Sequence, residues 1–213
     1  MLIVHHLRIS QSERIVWLCE ELGIAYDLVL YDRDPVTRLA PASYKALHPM
    51  GIAPVITDGD LVLGETGAIM EYIIARYGDG RLTLGPDDPD FADYLFWFHF
   101  ANGTIMPSAM IGMIAAMFGA GPDDPTVAAF NQRFERSYAM LEDRLGEAPW
   151  LAGDQFSAAD IITVFNLTTM RTFAPRDLSP YPRIQAYLDR VGERPAYRRA
   201  MAKSEPGMEP MLA

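Results

Sequence analysis

The chain has 213 residues, half of them hydrophobic, which is enough for one large or two small buried cores. Its formal net charge of -10, from 28 acidic and 18 basic residues, argues against nucleic acids and anionic membranes as partners. A single cysteine excludes a disulfide framework, and neither a signal-peptide pattern nor a bilayer-length apolar run is present, so we expect a cytoplasmic protein.

Residues 1–31 predict a strand, a helix and a second strand. The run at 2–6 is rich in strand-forming residues, and Ser10-Gln11-Ser12-Glu13 matches a helix capping box. Apolar residues then follow helical spacing up to Gly23, and 27–31 resembles a strand again. Such a unit is expected to be parallel with a right-handed crossover. Residues 32–53 are predicted to be irregular, with one helical turn near 43–47.

Residues 48–77 carry the most informative pattern. A short strand at 54–57, an Asp58-Gly59 turn and a strand at 61–63 predict a hairpin, followed by a helix over 66–77. Thr66 stands at the start of this helix, where backbone N–H groups and the positive dipole end suit a carboxylate. Ala53 precedes a proline and is biased to an extended conformation that can pair with a peptide. This combination indicates a site for a small, anionic, peptide-like ligand.

The second half of the chain has a helical pattern throughout. We expect a first domain over 1–78, a linker over 79–89 that is rich in Gly, Asp and Pro, and an all-helical domain over 90–213. The predicted helices are 91–118 with a bend at Pro107, 127–146, 158–172 behind a capping box at Ser157, 179–192, and 195–203. The tail, 204–213, holds two prolines and is expected to be poorly ordered.

In this order and at this spacing, the motifs resemble those of the cytosolic glutathione S-transferases. The carriers are Ser10-Gln-Ser-Glu-Arg14, Gly51-Ile-Ala-Pro54-Val55, Glu65-Thr66-Gly-Ala-Ile69, Phe156-Ser-Ala-Ala-Asp160-Ile161 and Arg194-Pro-Ala196. The resemblance covers nearly the whole chain and is greatest to a serine-type bacterial and fungal subgroup. It implies an α/β thioredoxin-like N-terminal domain and an all-α C-terminal helical domain.

The resemblance also implies the roles of individual residues. Ser10 would hydrogen-bond the sulfur of glutathione and favour its thiolate. Ala53 would pair through its backbone with the cysteine of glutathione, beside a cis Ala53–Pro54 bond. Glu65 would bind the γ-glutamyl amino group and Thr66 the γ-glutamyl carboxylate. Glutathione would act as a co-substrate, and no metal is expected.

Several alternatives stay open from the residues themselves. Ser10 can simply cap its helix, and Ser12 competes for the contact to the sulfur. The glycine carboxylate of glutathione has three candidate partners, Arg38, Lys45 and His48. His5 and His6 alternate across a strand, which favours a structural role.

The resemblance implies that the helical domain supplies the electrophile site. Met106, Met110, Met113 and Met117 recur at helical spacing and would form an adaptable apolar wall for small hydrophobic electrophiles, although packing in a helical bundle explains them equally well. The family also implies a homodimer, with Asn102 near the partner's γ-glutamyl site.

The expected activity is conjugation of glutathione to such electrophiles, because a thiolate is a far better nucleophile than a thiol. A glutathione-dependent peroxidase or disulfide reductase, or a non-catalytic binding or regulatory protein, remains an alternative on the same scaffold.

Overall fold

A computed structural model describes residues 1–121 and 124–212, apart from the side chain of Ala116. The described residues form two compact units, one made of 1–83 together with 192–210, and one made mainly of 84–191. The first unit therefore takes in a C-terminal segment as well as the N-terminal residues. The domain boundaries expected from the sequence, at 79–89, stay a prediction.

The first unit is built on one mixed sheet of four strands in the order β2-β1-β3-β4. The strands are β1 (Leu2–Leu7), β2 (Asp27–Tyr31), β3 (Val55–Asp58) and β4 (Leu61–Gly64). β1 and β2 are parallel, whereas β3 runs antiparallel to both β1 and β4. The predicted strand–helix–strand unit and the predicted hairpin are both confirmed, and the hairpin turns at Gly59, which adopts a positive φ of 60°.

Nine α-helices occur in the described part of the chain. They are α1 (Glu13–Leu22), α2 (Ala42–Lys45), α3 (Thr66–Tyr77), α4 (Phe91–Phe100), α5 (Met106–Met117), α6 (Pro125–Glu147), α7 (Ala158–Leu167), α8 (Pro182–Glu193) and α9 (Pro195–Ser204). In residues 1–121 and 124–212 we find no helix with both the length and the apolar composition that a bilayer crossing needs.

Alternation along β1 separates its two histidines. Successive side chains of a strand point to opposite faces, so His6 shares a face with Leu2 and Val4, whereas His5 shares the other face with Leu7. His5 hydrogen-bonds Tyr31 and Thr57 on the neighbouring strands, as a structural histidine would. The partners of His6 lie elsewhere and belong to the candidate site.

Helix α9 packs against α1 through charged side chains within the first unit. Glu20 on α1 accepts hydrogen bonds from Arg199 and Lys203, and Glu21 is paired with Arg194 through two hydrogen bonds. Burial alone would raise the pKa of Glu20, but its bonds to Lys203 and the neighbouring donors lower it. These pairs attach the C-terminal segment to the helix that follows β1.

The long helix expected over 91–118 is interrupted before its proline. Residues Ala101–Ile105 wind as a π-helix between α4 and α5, and Pro107 occupies the second position of α5. A proline lacks the N–H that would donate to the carbonyl four residues earlier, and here that carbonyl lies in the π-helical turn. The long helix is therefore interrupted by a wider turn directly ahead of Pro107, and the bend expected at Pro107 stays a prediction.

The two capping boxes predicted from the sequence have different outcomes. At α7 the box is confirmed, because the Ser157 hydroxyl accepts from the backbone of Ala159 while Asp160 accepts from the Ser157 N–H. At α1 the prediction is wrong: the helix begins at Glu13, its N-cap is Ser12, and no side chain caps it. Helix α7 also ends earlier than expected, at Leu167, and a 3₁₀ turn follows over Thr169–Thr172.

Asp160 is fully buried and serves more than its helix. Its Oδ1 accepts from the Leu151 N–H at 3.0 Å and from the Tyr187 hydroxyl at 3.0 Å, and its Oδ2 accepts from Ser157. Burial raises the pKa of Asp160 to about 6, against the lowering effect of these donors. One carboxylate thus joins α7 to α8 and to the loop before α7.

We expect Asp160→Asn to destabilise the protein by at least about 2 kcal/mol, because an amide NH₂ would face donors that now find a buried acceptor. The free energy of unfolding in urea measures this effect. Asp154→Asn is the matched control, since Asp154 is exposed in the same segment, and it should change the stability little. Equal stability of the two variants would contradict the role given to Asp160.

Candidate active site

Ser10 lies in the short turn between β1 and α1. Its side chain is buried, with 5% of its surface exposed. Its oxygen lies 2.8 Å from the Ser12 oxygen and accepts the Ser12 N–H at 3.3 Å. Ile9, immediately before it, has a positive φ of 54°, a conformation that a β-branched residue rarely adopts. The turn that presents Ser10 is therefore a strained one, as is common at functional sites.

Ser12 connects Ser10 to the strand instead of capping the helix. Its hydroxyl lies 2.8 Å from Nδ1 of His6 and accepts the N–H of Leu7 at 3.2 Å. The predicted capping box fails because the N-cap of α1 is Ser12 and not Ser10, and the Ser12 hydroxyl is used by β1 and not by the first turn of α1. The two serines, which competed for one role on sequence grounds, are neighbours in one hydrogen-bonded chain.

The other nitrogen of His6 meets Glu205, in the segment expected to be poorly ordered. Nε2 of His6 lies 3.0 Å from Oε1 of Glu205, and the carboxylate also accepts from the Ile9 N–H and from Nε of Arg8. Glu205 has 1% of its surface exposed. The expectation of a poorly packed tail is therefore wrong at this residue.

The pKa of Glu205 is lowered although the residue is buried. Burial alone would raise it, but the hydrogen bonds from His6, from the Ile9 N–H and from Arg8 lower it. Glu205 is thus held as a carboxylate inside the first unit. No cluster of three or more potential metal ligands forms around it or elsewhere in the part of the chain that the structure describes.

The second group of candidate residues is joined by Gln11. Its amide nitrogen donates to the Ala53 carbonyl at 3.0 Å, and its amide oxygen accepts from the Thr66 hydroxyl at 3.0 Å and from Arg14 at 2.9 Å. The bond between Ala53 and Pro54 is cis, as the resemblance implies. One side chain therefore holds the strand entry and the start of α3 next to the Ser10 turn.

The cation beneath this bridge is Arg14. It is fully buried, and burial lowers its pKa to about 9, against the raising effect of Glu13.

The start of α3 has the features of an anion site. Thr66 is the first residue of the helix and Glu65 is its N-cap, but no side chain caps the helix. The first backbone N–H groups of α3 are therefore not used by a cap and can serve a ligand. Glu65 is exposed and has a positive φ of 69°. Both strained residues of this region, Ile9 and Glu65, thus directly precede a predicted site residue.

The three candidate cations occupy two places. Arg38, itself at a positive φ, lines a cavity of about 180 Å³ with Arg8, Ile9, Asp32 and Arg33. Lys45 and His48 lie elsewhere in the first unit: a Cβ added at Gly51 would contact Lys45 at 3.6 Å, and one added at Gly64 would contact the His48 ring at 3.3 Å. The three predicted candidates are therefore not brought together.

The four methionines of α5 do not share one role. Met113 and Met117 line a cavity of about 540 Å³ within the second unit, Met106 packs on a buried cluster, and Met110 is exposed. The other residues at this cavity are mainly apolar, among them Ala109, Phe134, Phe173 and Pro175. Asn102 lies in the π-helical segment and is half-buried.

Sequence reasoning missed Gln11, Glu205 and the linking role of His6. Gln11 lies within the motif Ser10-Gln-Ser-Glu-Arg14, and the signal for its role was its position as a polar residue between two candidate serines. Glu205 had none, since its partner His6 is 199 residues away along the chain.

Two family models match the chain. The model described as the glutathione S-transferase N-terminal domain matches residues 10–76, and the one described as the C-terminal domain matches residues 124–190. The chain is similar to glutathione S-transferase 3 of Schizosaccharomyces pombe, with 30% identity over 96% of this chain and 88% of the relative. It is also similar to GstB of Escherichia coli, with 29% identity over 90% of this chain and 93% of the relative.

Among solved structures, the fold is similar to a glutathione S-transferase from Actinobacillus pleuropneumoniae. The TM-score is 0.88 at 31% sequence identity, and the match covers 98% of this chain and 95% of that one. Similarity of this extent covers both units and therefore the helical half as well as the sheet.

Proposed function

The chain belongs to the glutathione S-transferase family, and we propose that it conjugates glutathione to small hydrophobic electrophiles through a thiolate stabilised by Ser10. The observation that carries the proposal is the placement of the Ser10 hydroxyl. It is buried in a strained turn, beside a cis-proline strand entry and a bare helix N-terminus that Gln11 links together. A serine that only capped a helix would not need these surroundings.

Activation of the thiol requires a modest preference for the anion. A free thiol with a pKa near 8.5 is only a few per cent ionised at pH 7. Lowering that pKa by about two units corresponds to roughly 2.7 kcal/mol of preferential stabilisation of the thiolate. A buried hydroxyl donor next to the N-terminus of α1 supplies stabilisation of this size.

The tripeptide would lie between β3 and the start of α3. In this proposal the Glu65 carboxylate binds the γ-glutamyl ammonium, the Thr66 hydroxyl and the first N–H groups of α3 bind the γ-glutamyl carboxylate, and Ala53 pairs with the cysteine backbone. The Thr66 hydroxyl now donates to Gln11, and rotation about its C–O bond would turn the proton to the ligand. Such a carboxylate site also matches the dipole of α3.

The electrophile would be held by the second unit. Its cavity of about 540 Å³ has a size and an apolar lining typical of sites for small organic molecules, and two methionines give it an adaptable surface. We further propose a place in the serine-type bacterial and fungal subgroup, supported by Ser10 in the turn before α1. We also propose a cytoplasmic location, supported by the single buried cysteine.

Ser10→Ala should raise the pKa of the bound glutathione thiol. Conjugation to an aromatic halide should then fall much more at about pH 6.5 than at about pH 9, because at high pH the sulfur ionises without help. Glutathione affinity, measured by calorimetry, should change little. Ser179→Ala is the control, since its hydroxyl bonds only to Asp177 on the surface. An equal loss at both pH values would refute this role of Ser10.

Thr66→Val should weaken glutathione binding by about tenfold or more, because it removes a hydroxyl from a charge-assisted contact worth roughly 1.5–3 kcal/mol while keeping the shape of the side chain. Titration calorimetry measures the dissociation constant. Thr83→Val, whose hydroxyl donates to the Gly80 carbonyl in a turn, should leave it unchanged. Unaltered affinity in folded Thr66→Val would move the γ-glutamyl site elsewhere.

We also propose a homodimer in which Asn102 lies near the γ-glutamyl site of the partner, as the family resemblance implies. Light scattering at micromolar concentration should give twice the mass of the 23.8 kDa chain. A monomer with normal turnover would contradict this part of the proposal.

A further inference from the structure

An unbroken chain of hydrogen bonds runs from Ser10 to a buried carboxylate. The links are Ser10 to Ser12 at 2.8 Å, Ser12 to Nδ1 of His6 at 2.8 Å, and Nε2 of His6 to Glu205 at 3.0 Å. All four residues are buried, and His6 and Ser12 have no exposed surface. The chain therefore connects the reacting end of the site with a base that solvent does not reach.

The hydrogen bonds fix the direction of the chain when His6 is neutral. The Glu205 carboxylate accepts only, so the proton of the imidazole lies on Nε2 and Nδ1 is an acceptor. Ser12 could donate its single hydroxyl proton to Nδ1, to the Ser10 oxygen at 2.8 Å or to the Leu7 carbonyl at 3.4 Å. It donates to Nδ1, because either of the other bonds would leave this buried acceptor without a donor. Ser10 must accordingly donate to Ser12.

In this direction the Ser10 oxygen presents a lone pair to a ligand, since its own proton points to Ser12. A lone pair can accept the S–H of glutathione but cannot stabilise a thiolate. Reversal of every bond in the chain corrects this mismatch. It would leave Nδ1–H donating to Ser12, Ser12 donating to Ser10, and Ser10 donating to the sulfur, with each oxygen still paired.

We propose that this chain is a proton relay that takes the thiol proton of bound glutathione and stores it on His6. The S–H bond breaks as a new O–H bond forms on Ser10, the original Ser10 proton passes to Ser12, and the original Ser12 proton passes to Nδ1. The products are a thiolate and an imidazolium, so atoms and charge balance. After the S–C bond has formed, the same chain runs in reverse, and Ser10 gives the proton to the departing leaving group or to the water that replaces it.

Glu205 gives the relay its driving force. Once the proton has reached His6, the imidazolium forms a charge-assisted hydrogen bond with the buried Glu205 carboxylate, which stabilises the charged product of the relay. The other charged groups around this pair are Arg8, which also binds Asp32, and Arg33 at the end of β2. The charged groups on and beside α1 and α9 have partners of their own. Arg14 bonds to Gln11 and is next to the buried Glu13, Glu20 binds Arg199 and Lys203, Glu21 binds Arg194, and Arg198 donates to the Gly192 carbonyl.

His6, Ser12 and Glu205 are positioning residues here, because only Ser10 touches the substrate. The inference rests on the proposed function, since it concerns how the same thiolate forms. It adds that thiolate formation transfers a proton within the protein and does not release it to solvent. That difference is measurable in the unmodified enzyme.

The first test counts protons on binding. Calorimetry at about pH 7.5 in buffers of different ionisation enthalpy gives the protons released when glutathione binds, and S-methylglutathione, which has no thiol, gives the baseline. Ultraviolet absorbance measures the thiolate formed. The relay predicts thiolate with no matching proton release above the baseline. Release of about one proton per thiolate would overturn the relay while leaving the proposed function intact, whereas absence of both binding and thiolate would contradict the proposed function.

The second test uses two variants that change the side-chain volume little. His6→Asn removes the proton acceptor, and Glu205→Gln removes the negative charge beside it. Conjugation should fall by at least about tenfold at about pH 6.5 and recover at about pH 9, where the thiol ionises to solvent. The thiolate that forms in His6→Asn should then be matched by released protons. His5→Asn, on the opposite face of the same strand, is the control and should keep the pH profile of the unmodified enzyme. A loss independent of pH in both variants would mean that these residues act only in folding.

Discussion

The turn that carries Ser10 depends on the buried carboxylate of Glu205. A carboxylate out of reach of solvent is costly unless several donors surround it, and here His6, Arg8 and the Ile9 N–H do so. The same contacts hold Ile9 in a conformation that its branched side chain disfavours, and Arg33 fixes its carbonyl from the other side. Ser10, one residue later, takes its position from this arrangement. The conformation of the Ser10 turn is therefore set by the C-terminal segment of the first unit, which is distant in sequence but in contact with the turn.

Local patterns predicted most of the fold. The sheet, the hairpin and the start of α3 follow from alternation, from the Asp58-Gly59 pair and from proline and glycine positions, all of which act over a few residues. The two capping boxes show where this reasoning stops. Ser157 finds its partners within its own box. Helix α1 instead has Ser12 as its N-cap, not the expected Ser10, and the Ser12 hydroxyl bonds to His6 and Leu7, which the box pattern does not reveal. Likewise, the sequence indicates that Pro107 disturbs the long helix, but it does not predict the π-helical turn over Ala101–Ile105.

For the site, motif resemblance singled out Ser10, Ala53, Glu65 and Thr66, and the structure adds what links them. Gln11 joins residues that are 42 and 55 positions away from it, and Glu205 joins one that is 199 positions away. Side-chain pairs at such separations leave no periodicity or spacing to detect in a single sequence. Backbone placement was thus accessible to prediction, and the hydrogen-bond network that orients the hydroxyls was not.

The separation between His6 and Glu205 has a consequence for biosynthesis. Translation delivers β1 and the Ser10 turn almost two hundred residues before it delivers the carboxylate that they bind. Until then His6 and the Ile9 N–H of the ribosome-bound chain lack the acceptor that Glu205 provides in the folded protein. Closing so long a loop is slow and entropically unfavourable compared with local pairing. Completion of the Ser10 turn therefore has to wait for a segment that is made long after the turn itself.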